Sequence, residues 1–252
     1  MSQPYRIEIK DHIAILTIHR PPVNALDSGD WLKLATELDD LGQRSDVKVI
    51  VMAGDGKGFC AGVDIKELAK HPERIVEVNR GNYLTFKAIH RNPKPVICAL
   101  HGYVLGGGIG ISGAADLIIA SECTRFGVPE IDRGAMGGGA HLQRMFPVQK
   151  VRAMYFTGEF IDSQEAYRLG AIEKVVPREE LMNATLEVAR KIAKKPMRML
   201  ELAKESLNGV EDGDLEAKYR WEQGFTLEAY QDQDSDEARD AFVEKRDTQY
   251  KN

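Results

Sequence analysis

Three consecutive glycines, Gly106-Gly107-Gly108, follow directly on the apolar stretch from Val96 to Leu105. A strand that runs through glycines into a helix start leaves backbone N–H groups uncovered, because no Cβ stands in front of them. Such a turn suits an anion. A second turn, Phe59-Cys60-Ala61-Gly62-Val63-Asp64, also follows a β-like run, Lys48 to Ala53, and also opens a short helical segment. Two turns of this kind make two donors available. Two preorganised N–H groups aimed at one point stabilise an oxygen that becomes negative during a reaction, and few other devices lower a barrier as much.

The 252 residues, 43% of them hydrophobic, bury a full core and fit one large domain with a helical appendage. A net charge of -5 supplies no broad cationic field, so neither nucleic acid nor an anionic membrane is an expected partner. The N-terminus enters a strand pattern without an apolar leader, and no run approaches the ~18 apolar residues of a membrane span, so a cytoplasmic location is expected. Cys60, Cys98 and Cys123 are odd in number and scattered, which suits reduced, structural thiols. The six histidines show no ligand spacing and no C-x-x-C occurs, so no metal is expected. A G-x-S-x-G elbow is absent too. Gly108, Gly110 and Gly113 satisfy G-x-G-x-x-G, but a strand resuming near Asp116 leaves too short a helix for a dinucleotide-binding crossover.

Alternating residues on either side of Lys10-Asp11-His12 predict a hairpin, Tyr5 to Ile9 with Ile13 to His19. Asp27 or Ser28 then caps a helix with an apolar stripe of Trp31, Leu34, Ala35, Leu38 and Leu41. Further strands are expected at 48–53, 96–100, 116–120 and 170–176, with a helix at 107–113 and helices before Pro93. From Pro177 onward the pattern is helical: 179–194, 197–207, 215–230 and 235–245. The basic run Lys191, Lys194, Lys195, Arg198 and Lys204 reads as a solvated helix face.

Glu130 sits in Phe126-Gly127-Val128-Pro129-Glu130-Ile131, amid apolar neighbours. Burial there raises a carboxyl's pKa toward the range useful for proton transfer, which makes Glu130 the leading acid/base residue. The alternative is a loop carboxylate facing solvent or capping a helix. Asp132 and His141 are the secondary acid/base candidates, with a simple satisfied polar role as the alternative for each.

Three segments, Gly58 to Glu67, His101 to Gly108 and Phe126 to Glu130, resemble in order and spacing the crotonase superfamily of enoyl-CoA hydratases and isomerases. The resemblance covers essentially the whole chain. It implies an α/β fold: a ClpP-like ββα spiral core over residues 1–190, followed by a helical trimerisation region over 191–252. It also implies a homotrimer or a hexamer built as a dimer of trimers. The N–H groups of Val63 and Gly107 would hold the thioester oxygen of an acyl-CoA, with Glu130 as the proton carrier. Coenzyme A enters as part of the substrate, and no separate cofactor is implied. By the same resemblance Ala61, Asp64, Ile65 and Lys66 lie along the CoA, and Phe242 and Lys245 are its C-terminal contacts.

The family's hydratases carry a first catalytic glutamate at the position of Gly110, which leaves a single glutamate here and favours isomerase-type proton shuttling over hydration. The customary Pro-Gly-Ala-Gly-Gly-Thr-Gln-Arg-Leu is also altered, to Gly137 through Met145. A narrower similarity, in Asn79-Arg80-Gly81, Gly106 to Gly110, Pro129 to Ala135 and Tyr219 to Thr226, is to crotonase-fold hydrolases that open a ring in steroid-derived CoA thioesters. In that setting the absence of a glutamate at Gly110 makes room for a cyclic acyl group. A non-catalytic paralogue that binds CoA esters or RNA is the reading from another class.

Overall fold

The computed structural model describes residues 3–211 and 213–250. The expected hairpin forms from β1 (Tyr5–Lys10) and β2 (Ile13–Ile18), paired antiparallel. Asp11 and His12 between them both take positive φ, 52° and 64°, so the turn twists with its strands. β3 (Ala25–Leu26) leads into α1 (Ser28–Gln43), where Asp27 is the cap and accepts from the Asp30 N–H at 2.8 Å. The apolar stripe from Trp31 to Leu41 is buried as its spacing requires.

From here the chain repeats one unit, a long strand, a short strand and a helix. β4 (Val49–Gly54) and β5 (Gly62–Val63) precede α2 (Ile65–Lys70) and α3 (Ile75–His90). β6 (Val96–Leu100) and β7 (Tyr103–Leu105) precede α4 (Gly107–Ala114). β8 (Leu117–Ser121) and β9 (Arg125–Gly127) precede α5 (Gly139–Met145). Then come α6 (Val148–Thr157), β10 (Ile161–Asp162), α7 (Ser163–Arg168) and β11 (Lys174–Val176). Four helices finish the chain: α8 (Leu181–Ala193), α9 (Met197–Val210), α10 (Leu215–Ala229) and α11 (Gln233–Glu244).

The long strands form one six-stranded sheet in the order β1-β2-β4-β6-β8-β11, parallel after the first hairpin. The short ones form a second layer, β10-β9-β7, beside the pair β3-β5. This is the ββα spiral that the resemblance implies. Alternation along β4 explains its near-continuous apolar sequence: Ile50 and Met52 join the large core, while Val49, Val51 and Ala53 join a second core covered by Leu181, Ala184 and Ala189 of α8. A parallel sheet buried on both faces needs both sets apolar.

Two expectations change. The strand expected over 170–176 shortens to β11, because Gly170, at φ 84°, and Ala171 close the end of α7 with bonds to Tyr167 O and Ala166 O. Lys204 also leaves the solvated face. It is buried, and its Nζ donates to Ile89 O at 3.0 Å, Lys94 O at 3.1 Å and Asp116 Oδ2 at 2.8 Å. A buried ammonium is tolerable only when such acceptors replace water, and these three tie α9 to the core. Among the described residues no helix is long and apolar enough to cross a membrane.

Candidate active site

The two glycine-bearing turns meet. β7 lies between the first turn and β9, with the Leu105 N–H on Cys60 O at 3.0 Å and the Gly106 N–H on Gly127 O at 3.2 Å. A Cβ placed on Gly62 would lie 3.0 Å from the Gly107 nitrogen, so only glycine allows this approach, and Gly62 itself sits at φ 87°. Gly107 opens α4, whose first bond runs from the Gly110 N–H to Gly106 O at 3.1 Å, leaving the Gly107 N–H outside the helix ladder. On the other turn the Gly62 N–H reaches Cys60 Sγ at 3.4 Å and the Asp64 N–H reaches Leu26 O at 2.9 Å. Strand alternation then turns the Val63 N–H away from β3.

Val63, Gly107 and Glu130 line one cavity, together with Ala61 and Ile65. Glu130 closes it from the end of the β9 loop, where its carbonyl accepts from the N–H groups of Arg133 and Ala135 at 2.9 Å each. Its carboxylate lies against Gly106, where any Cβ would overlap Oε1. Oε2 is buried without a hydrogen-bond partner. Burial above all, with a small contribution from the charge of Glu222, pushes the acid up to about 7. A carboxyl balanced between its two forms near neutrality can both take and return a proton.

The other expected residues are placed less uniformly. Asp64 caps α2 and accepts from the Lys66 N–H at 2.9 Å, while the Lys66 side chain is exposed on that helix. Phe242 on α11 lies under Arg133, whose guanidinium carbon is 4.5 Å from the ring centre, and Arg133 lines the cavity. Lys245 is exposed and ends α11 with φ 58°. Neither secondary acid/base candidate is among the residues lining the cavity. Asp132 is exposed and turned toward Gly158. His141 is buried behind the rings of Phe86 and Tyr219, 4.7 and 4.8 Å away, and burial pushes its pKa down to about 3, which keeps it neutral.

A match to the enoyl-CoA hydratase/isomerase family model runs from residue 8 to residue 252. The chain belongs to that family. It is 42% identical, over 93% of its length and 92% of the relative's, to a (7aS)-7a-methyl-1,5-dioxo-2,3,5,6,7,7a-hexahydro-1H-indene-carboxyl-CoA hydrolase of Rhodococcus jostii. A protein of the same name from Mycobacterium tuberculosis is 41% identical over 92% of this chain and 95% of the relative. A short-chain-enoyl-CoA hydratase of Clostridium acetobutylicum is 32% identical over 95% of this chain and 94% of the relative. Among solved structures, a carnitinyl-CoA hydratase from Mycobacterium avium superposes with a TM-score of 0.84 at 29% identity, covering 100% of this chain and 99% of the other. The protein is thus an acyl-CoA enzyme of the crotonase superfamily.

Within this family the departure at Gly110 has a structural counterpart. A Cβ there would overlap Phe86 Cζ, so the place where the resemblance puts a hydratase glutamate is filled by an aromatic ring and is not open space. The expectation of added room at Gly110 is therefore corrected: Phe86 occupies it, packed edge-on against Trp31 at 5.8 Å and tilted on Tyr219 at 5.2 Å. Installing a glutamate, Gly110→Glu, is expected to lower stability by about 1–3 kcal/mol through overpacking. Adding Phe86→Ala should recover part of that loss, a coupling readable in a double-mutant cycle of melting curves. The altered glycine run has a cause as well. Gly137 and Gly138 take φ of 151° and 81° at the cavity wall, where a proline, restricted to φ near about −65°, could not stand.

The cavity also holds residues that local reading of the sequence could not single out. Asn79, Asn82, Tyr219, Thr226 and Tyr230 line it from α3, α10 and the end of α10. Several lie in the segments of the narrower similarity, which is the signal that could have found them. Glu222 of α10 supports the wall: Oε1 accepts from the Gly139 N–H at 2.5 Å and the Tyr155 hydroxyl at 3.1 Å, and Oε2 from the Ala140 N–H at 3.0 Å. A carboxylate on the first N–H groups of α5 balances that helix end. Glu222→Ala should lower stability by about 2 kcal/mol, since it leaves buried donors unpaired, and thermal melting measures it.

Proposed function

We propose that the protein is a carbon–carbon hydrolase that opens the ring of a cyclic 3-oxoacyl-CoA, a substrate of the steroid-degradation type. The observation that carries this reading is the meeting of both N–H turns with one carboxylate, Glu130, and an aromatic ring at Gly110. The 42% identity to the indene-carboxyl-CoA hydrolase of Rhodococcus jostii supports it. In this reading the Val63 and Gly107 N–H groups hold the thioester oxygen. Ionised Glu130 takes a proton from water, and the water oxygen adds to the ring ketone β to the thioester. The carbon–carbon bond between that carbon and Cα breaks, and its electron pair passes into the thioester as an enolate held by the two N–H groups. Protonated Glu130 then returns its proton to Cα. The net change is one water consumed, a ring ketone converted to a carboxylic acid, and the CoA ester intact.

A base must be ionised to accept a proton, so kcat/KM is expected to rise with pH as the carboxyl of Glu130 titrates through about 7. A profile flat across that range would contradict the role. The lone carboxylate also favours a second reading, a double-bond isomerase in which Glu130 moves a proton between two carbons. Incubation with a cyclic 3-oxoacyl-CoA, a 3-enoyl-CoA and crotonyl-CoA, followed by mass spectrometry, separates the two. Ring opening adds the mass of one water, and isomerisation adds nothing.

The CoA moiety in this reading runs along Ala61 to Lys66 toward Phe242 and Lys245. The assembly is a homotrimer or a dimer of trimers in the cytoplasm. Phe156 and Trp221, 66% and 75% exposed on α6 and α10, are large apolar surfaces that an assembly would cover. Light scattering on the purified protein tests it.

A further inference from the structure

Ring opening by water requires a seat for that water, and in a two-glutamate site the second carboxylate helps to supply it. Here Phe86 fills that position. The cavity-facing stripe of α3 runs Ile75, Val78, Asn79, Asn82 and Phe86, so a polar side chain stands one turn before the ring. The two asparagines differ. Asn79 is tied to α10, its Nδ2 donating to Gln223 O at 3.4 Å and its backbone carbonyl accepting from Gln223 Nε2 at 2.5 Å. Asn82 is 7% exposed and leaves Oδ1 buried with no partner. A buried amide oxygen without a donor is costly unless a ligand or water completes it.

Resting on the hydrolase reading, we propose that Asn82 is the positioning residue for the hydrolytic water: its Oδ1 accepts one hydrogen of the water while Glu130 takes the other. Water offers two hydrogens, and the two residues with buried, unpartnered oxygens on this cavity wall are Asn82 and Glu130. The cavity leaves about 70 Å³ open to water, several times the ~10–15 Å³ that one molecule needs. Water held by both groups keeps its oxygen lone pairs free for the ring ketone, the proton passing to Glu130 as the new carbon–oxygen bond forms. Asn82 thereby takes the place of the glutamate missing at Gly110, from a different element of the fold.

The test uses the full-length protein with 2-oxocyclohexanecarboxyl-CoA, a simple cyclic 3-oxoacyl-CoA, and reads water addition by mass. Asn82→Leu, similar in size but without an acceptor, should lower kcat about 100-fold with KM within about 3-fold of wild type. Asn82→Asp restores an acceptor oxygen and should recover kcat to within about 10-fold of wild type. It should also move the limb at pH about 7 upward, since a second carboxylate beside Glu130 disfavours its ionisation. Asn82→Leu turning over at the wild-type kcat would overturn the proposal. So would a fall in melting temperature and a rise in KM that Asn82→Asp does not relieve, which would make the residue a packing element. Wild-type protein that leaves the cyclic thioester intact while isomerising a 3-enoyl-CoA would sink the hydrolase reading itself, and it is told apart by needing no variant.

Discussion

Glu130→Gln is expected to remove turnover, lowering kcat by about three orders of magnitude, while CoA-ester affinity stays within about 3-fold of wild type. The amide keeps the size and the surroundings of the acid: the contact against Gly106, the backbone bonds to Arg133 and Ala135, and the apolar enclosure. It loses only the ability to accept and return a proton. Burial has already raised the acid to about 7, so the loss of its charge from the interior costs nothing in folding, and the variant should melt at or above the wild-type temperature. Steady-state kinetics and calorimetric titration with a non-reacting acyl-CoA check both halves. A variant that retains a tenth of wild-type kcat would take Glu130 out of the chemistry.

The second large effect is expected at Gly107→Val. The new Cβ would stand 2.6 Å from the Trp31 ring and 3.3 Å from the Gly62 Cα, so α4 must back away from the turn that carries Val63. Displacing one donor by about an ångström costs on the order of 100-fold in rate, and losing an oxyanion donor outright costs about 100- to 1,000-fold. Both kcat and thioester affinity should fall, because in the proposed reaction the two N–H groups hold the ground-state carbonyl as well as the enolate. Overpacking adds a stability loss of about 1–3 kcal/mol, readable separately by thermal melting. Kinetics indistinguishable from wild type would mean that the thioester oxygen binds elsewhere.

How far the site was legible in the sequence depends on the range of each signal. Gly106 to Gly108 and Gly62 announced themselves, because positions pressed against backbone, as Gly62 and Gly108 are, or against the Glu130 carboxylate and the Trp31 ring, as Gly106 and Gly107 are, exclude a side chain. Glu130 was legible because its apolar neighbours in sequence signalled burial, although the cavity it lines is walled by residues of other segments, Gly106, Val78 and Tyr219 among them. Asn82, Phe86, Tyr219 and Glu222 were not readable as a site from their own segments. Each sits on an ordinary helical stripe, where a core-facing position and a cavity-facing position have the same spacing. Lys204 misled for the converse reason, since nothing in its own helix tells that Ile89, Lys94 and Asp116 converge on its ammonium. The short strands β3, β5, β7, β9 and β10 span two or three residues, too few for a period-two pattern, and α5 to α7 lie in a stretch where turns and helices alternate quickly.

The sequence by itself determined the long strands, the capped α1, the helical last third and the two turns with bare N–H groups, because periodicity, capping and glycine conformation act over a few residues. Only the tertiary structure decided that these turns touch, that Oε2 of the carboxylate beside them is buried without a partner, and that a ring from α3 packs against Gly110. Distance along a chain does not set distance in space. The pKa of Glu130, the burial of the Asn82 amide oxygen and the burial of Lys204 all depend on groups tens of residues away, brought together when the sheet and its helices close over one core.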